Sequence, residues 1–191
     1  MGLAMLGAVS QGILWGVMVL GVFITYKLLD IADLTVDGSF ALGGSVCAVL
    51  VVSGVDPVLA IFAAMLAGMI AGAVTGFLHT VFEIPAILAG ILTQIALWSV
   101  NLRIMGKSNT PLLRVDTLFS SVTDATGLPQ NVASIIVGLI FAVLIIVALY
   151  WFFGTEIGSA CRATGNNEAM VRALGVDTKV TKMIALTLSN G

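Results

Sequence analysis

The sequence predicts an all-α, polytopic integral membrane protein, and two observations lead to this prediction. The 191 residues are 59% hydrophobic and only 9% charged, whereas soluble domains carry about 25% charged residues. Five stretches contain no charged side chain, and each approaches or exceeds the roughly 20 apolar residues that cross a bilayer as a helix. We expect helices instead of a closed barrel, because the stretches show no strand-like alternation. The stretches are residues 1–26, 38–55, 57–82, 84–102 and 125–155.

Residues 1–26 are predicted to form a retained membrane helix, because they are too long and too poor in initial basic residues for a cleaved signal peptide. Residues 30–40 then interrupt the hydrophobic sequence with three carboxylates and a glycine. Irregular polar backbone near a membrane is tolerated where it packs inside protein or lines a water-filled cavity. The alternative is a solvated turn in which Asp37 or Ser39 caps the next helix. The sequence leaves both interpretations open.

The third apolar stretch carries a row of small residues on one helical face. Gly68, Gly72 and Gly76 recur every four residues, and such a row lets a neighbouring helix backbone approach closely. Gly12 and Gly16 begin a similar row in the first stretch. Ordinary tight packing is favoured over a moving helix contact as the explanation of these rows.

The fourth apolar stretch carries three polar or amphipathic residues on one face. Gln94, Trp98 and Asn101 are spaced i, i+4 and i+7, which places them on the same side of a helix. Because an amide facing lipid is costly, we predict that this face looks inward. It either lines a substrate path or makes a structural hydrogen bond between helices. Since Glu83 and Pro85 begin the stretch, it could also re-enter the membrane instead of crossing it.

The distribution of basic residues predicts the orientation of the chain. Four of the eight Lys and Arg residues follow the last apolar stretch, at Arg162, Arg172, Lys179 and Lys182. Because basic loops are enriched in the cytoplasm, residues 156–182 are predicted to be cytoplasmic. The outer loop before the last apolar stretch is more basic than this orientation predicts. Counting back through five crossings places residues 30–37 and Glu83 inside, and the N-terminus, Asp56 and residues 103–124 outside.

The polar sequence after the last apolar stretch predicts a short helix that starts at Asn166 or Asn167 and ends before Gly175. Asparagine caps helix N-termini, and glycine is common just past the C-terminus. Glu168 favours the first turn and pairs with Arg172 at i, i+4 spacing. So short a helix is marginal alone in water, so it needs a partner surface, either a soluble subunit or the inner ends of the membrane helices. Its apolar side consists of Met170, Val171, Ala173 and Leu174.

The end of the chain resembles the beginning of another apolar helix. Residues 183–188 are apolar and follow Lys179 and Lys182, and the sequence stops at Gly191. A helix that starts at the inner face has no length to cross the membrane here. We therefore expect five transmembrane helices plus the start of a sixth, in a truncated chain.

The sequence predicts no metal site, cofactor or disulfide. His79 and Glu83 are spaced i, i+4, but no third metal ligand lies nearby. Cys47 lies inside an apolar stretch and Cys161 in a polar loop, so we do not expect them to pair. The net charge of −2 gives no reason to expect nucleic acid as a partner.

Three blocks of the sequence occur in the order that is typical of one family. The first block, residues 33–44, begins with Asp33, Leu34, Thr35, Val36, Asp37 and Gly38. The second is residues 84–93, and the third is the polar stretch 158–176, which is the most specific of the three. Together they resemble the permease subunits of bacterial ABC importers of the ribose and branched-chain amino acid type. The first block is similar to a subgroup described as amino acid permeases of a tryptophan-like kind.

This resemblance implies a multi-pass permease of the bacterial inner membrane that translocates a small solute, expected to be an amino acid or a related molecule. It implies a homodimer of permeases, a cytoplasmic ATPase subunit and an extracytoplasmic binding protein that contacts residues 103–124. The chain lacks a phosphate-binding loop motif, so ATP hydrolysis is expected on the partner. Residues 1–191 are expected to form one membrane domain, with 156–178 as its coupling loop. The residues that the resemblance places at the ATPase are Arg162, Gly165, Asn167, Glu168, Met170, Val171, Arg172, Leu174 and Gly175.

The main alternative is a secondary transporter or channel without an ATPase partner. Ion coupling requires charged groups within the membrane spans, and the five apolar stretches contain none. A purely structural membrane subunit would explain the packing glycines but not the elaborate polar stretch 158–176. A membrane enzyme is less consistent still, because no nucleophile and base stand at a sensible spacing.

Overall fold

The computed structural model describes residues 2–107, 110, 112, 117, 120, 122, 123, 127 and 129–191. These residues contain helices and no strand, as the sequence predicts. We number eight helices of the described residues: α1 (Gly2–Phe23), α2 (Val36–Val52), α3 (Pro57–Thr80), α4 (Ala86–Met105), α5 (Gln130–Gly154), α6 (Glu156–Asn166), α7 (Glu168–Ala173) and α8 (Thr178–Asn190). A π-helical turn, Ile24–Leu28, continues α1.

The five apolar stretches all form helices, but one of them is shorter than expected. Four helical segments in the described part are long and apolar enough to cross a membrane. The second stretch, residues 38–55, forms α2, which has only 17 residues. The protein is therefore an all-α, polytopic membrane protein. The four long segments are Met5–Leu28, Pro57–Thr80, Ala86–Met105 and Val132–Gly154.

The chain directions of the packed helices alternate as they must in a multi-pass protein. Along α2 and α4, Gly38 packs on Gln94 and Ser45 bonds Asn101, so these two helices run parallel. Helix α3 runs antiparallel to α2, because Thr35 at the start of α2 bonds Thr75 near the end of α3. Helix α4 is unbroken over 20 residues, so it is long and apolar enough to cross a membrane, and the choice between crossing and re-entry stays a prediction.

The glycine row of α3 provides a close contact with α8. A Cβ atom added at Gly72 would overlap the Leu186 carbonyl oxygen and lie 2.8 Å from Asn190 Cβ. At Gly76 it would lie 3.3 Å from Met183 Cα. The predicted close approach of a neighbouring backbone is confirmed, and Gly68 takes part through the Asn190 carbonyl.

The corresponding glycine row in α1 makes no close helix contact in the described part of the chain. A Cβ atom at Gly12 or Gly16 would meet nothing within 4 Å, so the prediction of a second packing stripe is wrong there. Helix α1 instead approaches α8 through Gly21, where a Cβ atom would lie 2.6 Å from the Ser189 carbonyl oxygen.

Residues 29–35 connect α1 to α2 inside the layer of helices. Helix α2 starts beside Thr75, which precedes the end of α3 at Thr80 by five residues, or about 7.5 Å along the helix axis. Asp33 is 7% exposed and Thr35 is fully buried. The interpretation that this polar backbone packs inside protein is therefore confirmed, and the solvated turn is wrong.

The start of α2 also differs from the predicted one. The helix begins at Val36 with Thr35 at the N-cap position, and no side chain caps it. Asp37 lies in the first turn and Ser39 is buried within the helix, so neither residue is the cap. The carboxylate of Asp33 accepts a 2.8 Å hydrogen bond from the Thr35 amide, and this turn takes the place of the expected cap.

Candidate functional site

A buried polar cluster links the α1–α2 connection with α2, α3 and α8. It consists of Asp33, Thr35, Ser39, Thr75 and Asn190, which are all at most 7% exposed. The Asn190 amide donates to Asp33 Oδ2 at 2.7 Å, and the Ser39 hydroxyl donates to Asn190 Oδ1 at 2.7 Å. The hydroxyls of Thr35 and Thr75 are 2.9 Å apart. One asparagine on α8 therefore holds both the connecting segment and α2.

Two glycines allow α4 to close over this cluster. A Cβ atom at Gly90 would lie 2.9 Å from the Leu34 amide nitrogen, and one at Gly38 would lie 3.2 Å from Gln94 Cα. Side chains at these positions would push α4 away from the Asp33 segment. The motif that begins at Asp33 thus lies where the connecting segment, α2 and α4 approach one another at backbone distance.

The predicted inward face of α4 is only partly present. Ser45 Oγ donates to Asn101 Oδ1 at 3.4 Å, and Gln94 packs on Gly38. Trp98 is 72% exposed, and its place on a substrate path stays a prediction. Residues at i+4 and i+7 differ by about 60° around a helix axis, and Trp98 lies beyond the edge of the contact with α2. The sequence leaves a substrate path and a structural hydrogen bond between helices as the two interpretations of this face. The contact of Asn101 with Ser45 agrees with the hydrogen bond.

At the opposite end of α8, helix α7 has the capping predicted for it. Asn167 is the N-cap, and its side chain accepts a 3.0 Å hydrogen bond from the Met170 amide. Arg172 pairs with Glu168 at 3.0 Å, and Gly175 adopts a φ of +85° just past the helix end. Of the two candidate caps, Asn166 instead ends α6.

Glu168 is the centre of a junction between α7 and α8. Its carboxylate accepts from Lys182 Nζ at 2.7 Å, from Thr178 Oγ1 at 3.0 Å and from Arg172 at 3.0 Å. The hydrogen bond from Lys182 is the largest cause that holds the pKa of Glu168 below its usual value, and Thr178 and Arg172 act in the same direction. The sequence did not reveal Lys182 as a partner, because it lies 14 positions from Glu168. We call Glu168, Arg172, Thr178 and Lys182 the Glu168 junction.

The residues expected at an ATPase divide into an exposed set and an inward set. Met170 and Leu174 are 55% and 71% exposed, whereas Val171 is 2% exposed. The prediction that Val171 belongs to the docking surface is therefore wrong, because it is buried within the chain where α7 contacts α6 and α8. Gly165 also packs inward, since a Cβ atom there would overlap the Leu28 carbonyl oxygen. The exposed set also contains Arg162, Asn167, Arg172 and Gly175.

The predicted coupling loop is mostly helical, and a polar cleft lies beside it. The cleft has a volume of about 470 Å³, and Asp30, His79, Glu168 and Lys182 are among its polar lining residues. His79 Nδ1 is 2.8 Å from the Ile84 carbonyl oxygen, so backbone already satisfies this nitrogen. No group of three possible metal ligands occurs in the part of the chain that the structure describes.

Five apolar helices, with the short capped helix α7 at one end, define a polytopic membrane protein. Residues 4–190 match the family described as the permease component of the branched-chain amino acid transport system. The chain belongs to this family, whose members are transport permeases and not enzymes. It is therefore part of a multi-pass protein of the bacterial inner membrane.

Curated relatives agree with this family. The chain is 38% identical over 97% of its length to the "Tyrosine transport system permease protein" of Clostridioides difficile (strain R20291), of which it covers 60%. It is 34% identical to an uncharacterised protein of Rickettsia prowazekii, covering 62% of that protein. It is 30% identical over 82% of its length to the "Ribose import permease protein RbsC" of Escherichia coli (strain K12), covering 48%. The chain thus spans about half to three fifths of these relatives. No solved structure gives a significant match.

Proposed function

We propose that the chain belongs to the permease subunit of an ATP-driven importer that carries an amino acid, with an aromatic amino acid as the first candidate. The family and the name of the tyrosine transport relative support this assignment. In this proposal residues 156–182 face the cytoplasm, two copies of the permease form the membrane unit, and a binding protein delivers the solute from outside. Half of residues 103–124, which would face that protein, lie outside the described residues.

The observation that carries the proposal is the exposed side of α7. Helix α7 has only six residues, too few for stability by propensity, yet it is capped by Asn167 and anchored by Glu168. Anchoring a short helix so that Met170 and Leu174 face outward prepares a small apolar surface for a partner. Each large side chain contributes about 1.5–3 kcal/mol when it is fully buried. An ATPase subunit with an apolar groove fits this surface.

Leu174→Asp tests the ATPase contact in the full-length permease. The substitution places a charge where the proposal buries a leucine, so we expect ATPase recovery with the tagged permease to fall at least about tenfold, from the loss of burial alone. Uptake of labelled tyrosine should fall with it, while the permease stays in the membrane. Val180→Asp is the matched control, because Val180 is 51% exposed and lies outside the predicted coupling loop 156–178. Wild-type ATPase recovery with Leu174→Asp and undiminished uptake would contradict the proposal.

One observation favours the alternative of an ion-coupled transporter. Asp33 places a carboxylate inside the helix layer, although the apolar stretches themselves are free of charge. Its donors are the Thr35 amide and the Asn190 side chain, and among the described residues no ion pair involves it. An ATPase subunit that binds but cannot hydrolyse ATP separates the two functions. Uptake should stop in the importer, whereas it should persist and become sensitive to a protonophore in the ion-coupled transporter.

A further inference from the structure

Helix α8 connects the Glu168 junction to the buried polar cluster. Lys182, Leu186 and Asn190 are spaced four residues apart and therefore lie along one side of the helix. Lys182 bonds Glu168 at the start of α8, and Asn190 bonds Asp33 near its end. The two contact residues are about 12 Å apart along the axis, with Leu186, 1% exposed, between them.

The beginning of α8 is held to α6 as well as to α7. The Thr164 and Thr181 hydroxyls are 3.0 Å apart, and the Cys161 thiol lies 3.6 Å from the Thr181 carbonyl oxygen. The side chain of Asp177 caps α8 through the amide of Lys179 at 2.9 Å. A displacement of α7 would therefore shift the start of α8 with it.

The contact of α8 with α3 suits a movement along the helix axis. Gly68, Gly72 and Gly76 present no side chain to α8, and α8 lies against their backbone. An axial shift along this surface displaces no interlocked side chain of α3, unlike a shift between helices whose side chains interdigitate. The far end of α8 would then move Asp33 and Ser39 through Asn190.

We propose that Lys182 and Asn190 are positioning residues for transport, and that α8 transmits displacement of α7 to the connecting segment 29–35 and to α2. This inference rests on the proposed function, because the displacement of α7 would come from the ATPase. It goes further by naming the helix and the two contacts that carry the movement into the membrane layer.

The test uses the full-length permease reconstituted in proteoliposomes with its ATPase and binding protein. The measured quantity is the amount of solute transported per ATP hydrolysed. Asn190→Asp brings two carboxylates together at the position of a 2.7 Å hydrogen bond. We expect this ratio to fall about tenfold or more, while the ATPase still co-purifies.

Exchanging the two residues separates a positioning role from general destabilisation. Asp33→Asn combined with Asn190→Asp restores one amide and one carboxylate in the reversed order. The transport ratio should recover to within a small factor of the wild type, because the hydrogen bond between the two side chains is restored. A merely structural role would move thermal stability and co-purification but leave solute transported per ATP unchanged in the assembled complexes.

Lys182→Met tests the other end of α8, with Lys179→Met as its matched control. Lys179 lies one turn earlier, 3.7 Å from Glu83, and its side chain is 55% exposed, against 19% for Lys182. The transport ratio should fall several-fold for Lys182→Met and stay unchanged for Lys179→Met.

Unchanged coupling in Asn190→Asp, or no recovery in the exchange variant, would overturn this inference alone. Equal effects of the two lysine substitutions would also overturn it. Failure of the wild-type permease to bind the ATPase would instead overturn the proposed function, and the inference with it.

Discussion

The buried polar cluster and the Glu168 junction both centre on a carboxylate, yet they hold it in opposite ways. Asp33 is 7% exposed and accepts from neutral donors, a backbone amide and the Asn190 side chain. Glu168 has a side chain 37% exposed and binds two cations, Lys182 and Arg172. A hydrogen bond in a buried site is costly to lose, because the remaining partner is left unsatisfied. A solvated ion pair is cheap to lose, because water replaces the partner.

The largest loss of stability should come from separating α3 and α8, because both helices contribute residues to the buried polar cluster. Gly72→Leu inserts a side chain into the space of the Leu186 carbonyl and Asn190, so α8 must move away from α3. We expect a destabilisation of about 3 kcal/mol or more, at the upper end for overpacking, measured as a lower melting temperature in detergent.

Gly12→Leu is the control for this substitution, because a Cβ atom at Gly12 would meet nothing within 4 Å. It has the same change in volume in another membrane helix. Equal loss of melting temperature in the two variants would refute the assignment of the α3–α8 contact.

The next effect should distinguish the two carboxylate sites directly. Asn190→Leu leaves Asp33 without its side-chain donor and should cost about 1–3 kcal/mol. Lys182→Met should cost about 1 kcal/mol or less, because Glu168 keeps Arg172 and Thr178. Added salt should weaken the wild-type junction by screening and leave the buried cluster unchanged.

Melting curves of both variants and the wild type at low and high salt measure this difference. The destabilisation by Lys182→Met should shrink at high salt, whereas that by Asn190→Leu should not. A salt-dependent effect at Asn190 would show that the cluster is open to solvent, contrary to its burial.

The smallest effect concerns pH and involves the junction alone. The hydrogen bond from Lys182 holds the folded-state pKa of Glu168 below its usual value of 4.5. Ionised Glu168 therefore stabilises the fold above that value, and this stabilisation is lost as the pH falls through the folded-state pKa. The melting temperature of the wild type should approach that of Glu168→Gln as the pH is lowered below 4.5. A constant gap between the two proteins down to their acid denaturation would contradict this.

Local patterns in the sequence predicted the local structure of α7 and the close contact made by the glycine row of α3. The cap at Asn167, the pair between Glu168 and Arg172 and the turn at Gly175 follow from residues within one short segment. The glycine row predicted a close helix contact, since a small-residue stripe has a single packing consequence. The identity of the partner helix did not follow, because the end of α3 at Thr80 and the start of α8 at Thr178 are separated by about half of the chain.

Contacts between distant residues were the part that could not be predicted. Asn190 and Asp33 are 157 positions apart, and each alone is consistent with a surface position. Val171 was expected on an outer surface because its helix is amphipathic, but the apolar side of α7 divides between an inner and an outer set. The start of α2 was misplaced, because an aspartate two residues before the N-cap can satisfy a backbone amide as a cap does.

The shortness of α2 has a consequence for assigning the sidedness of relatives from their sequences. A count based on span length alone finds four crossing helices in the described chain and omits Val36–Val52. Omitting one crossing reverses the side of the membrane that is assigned to every later segment. A count of four crossings from the N-terminus therefore places α6 and α7 on the opposite side from a count of five. Residues 29–35 supply, as protein-buried chain, the length that α2 lacks.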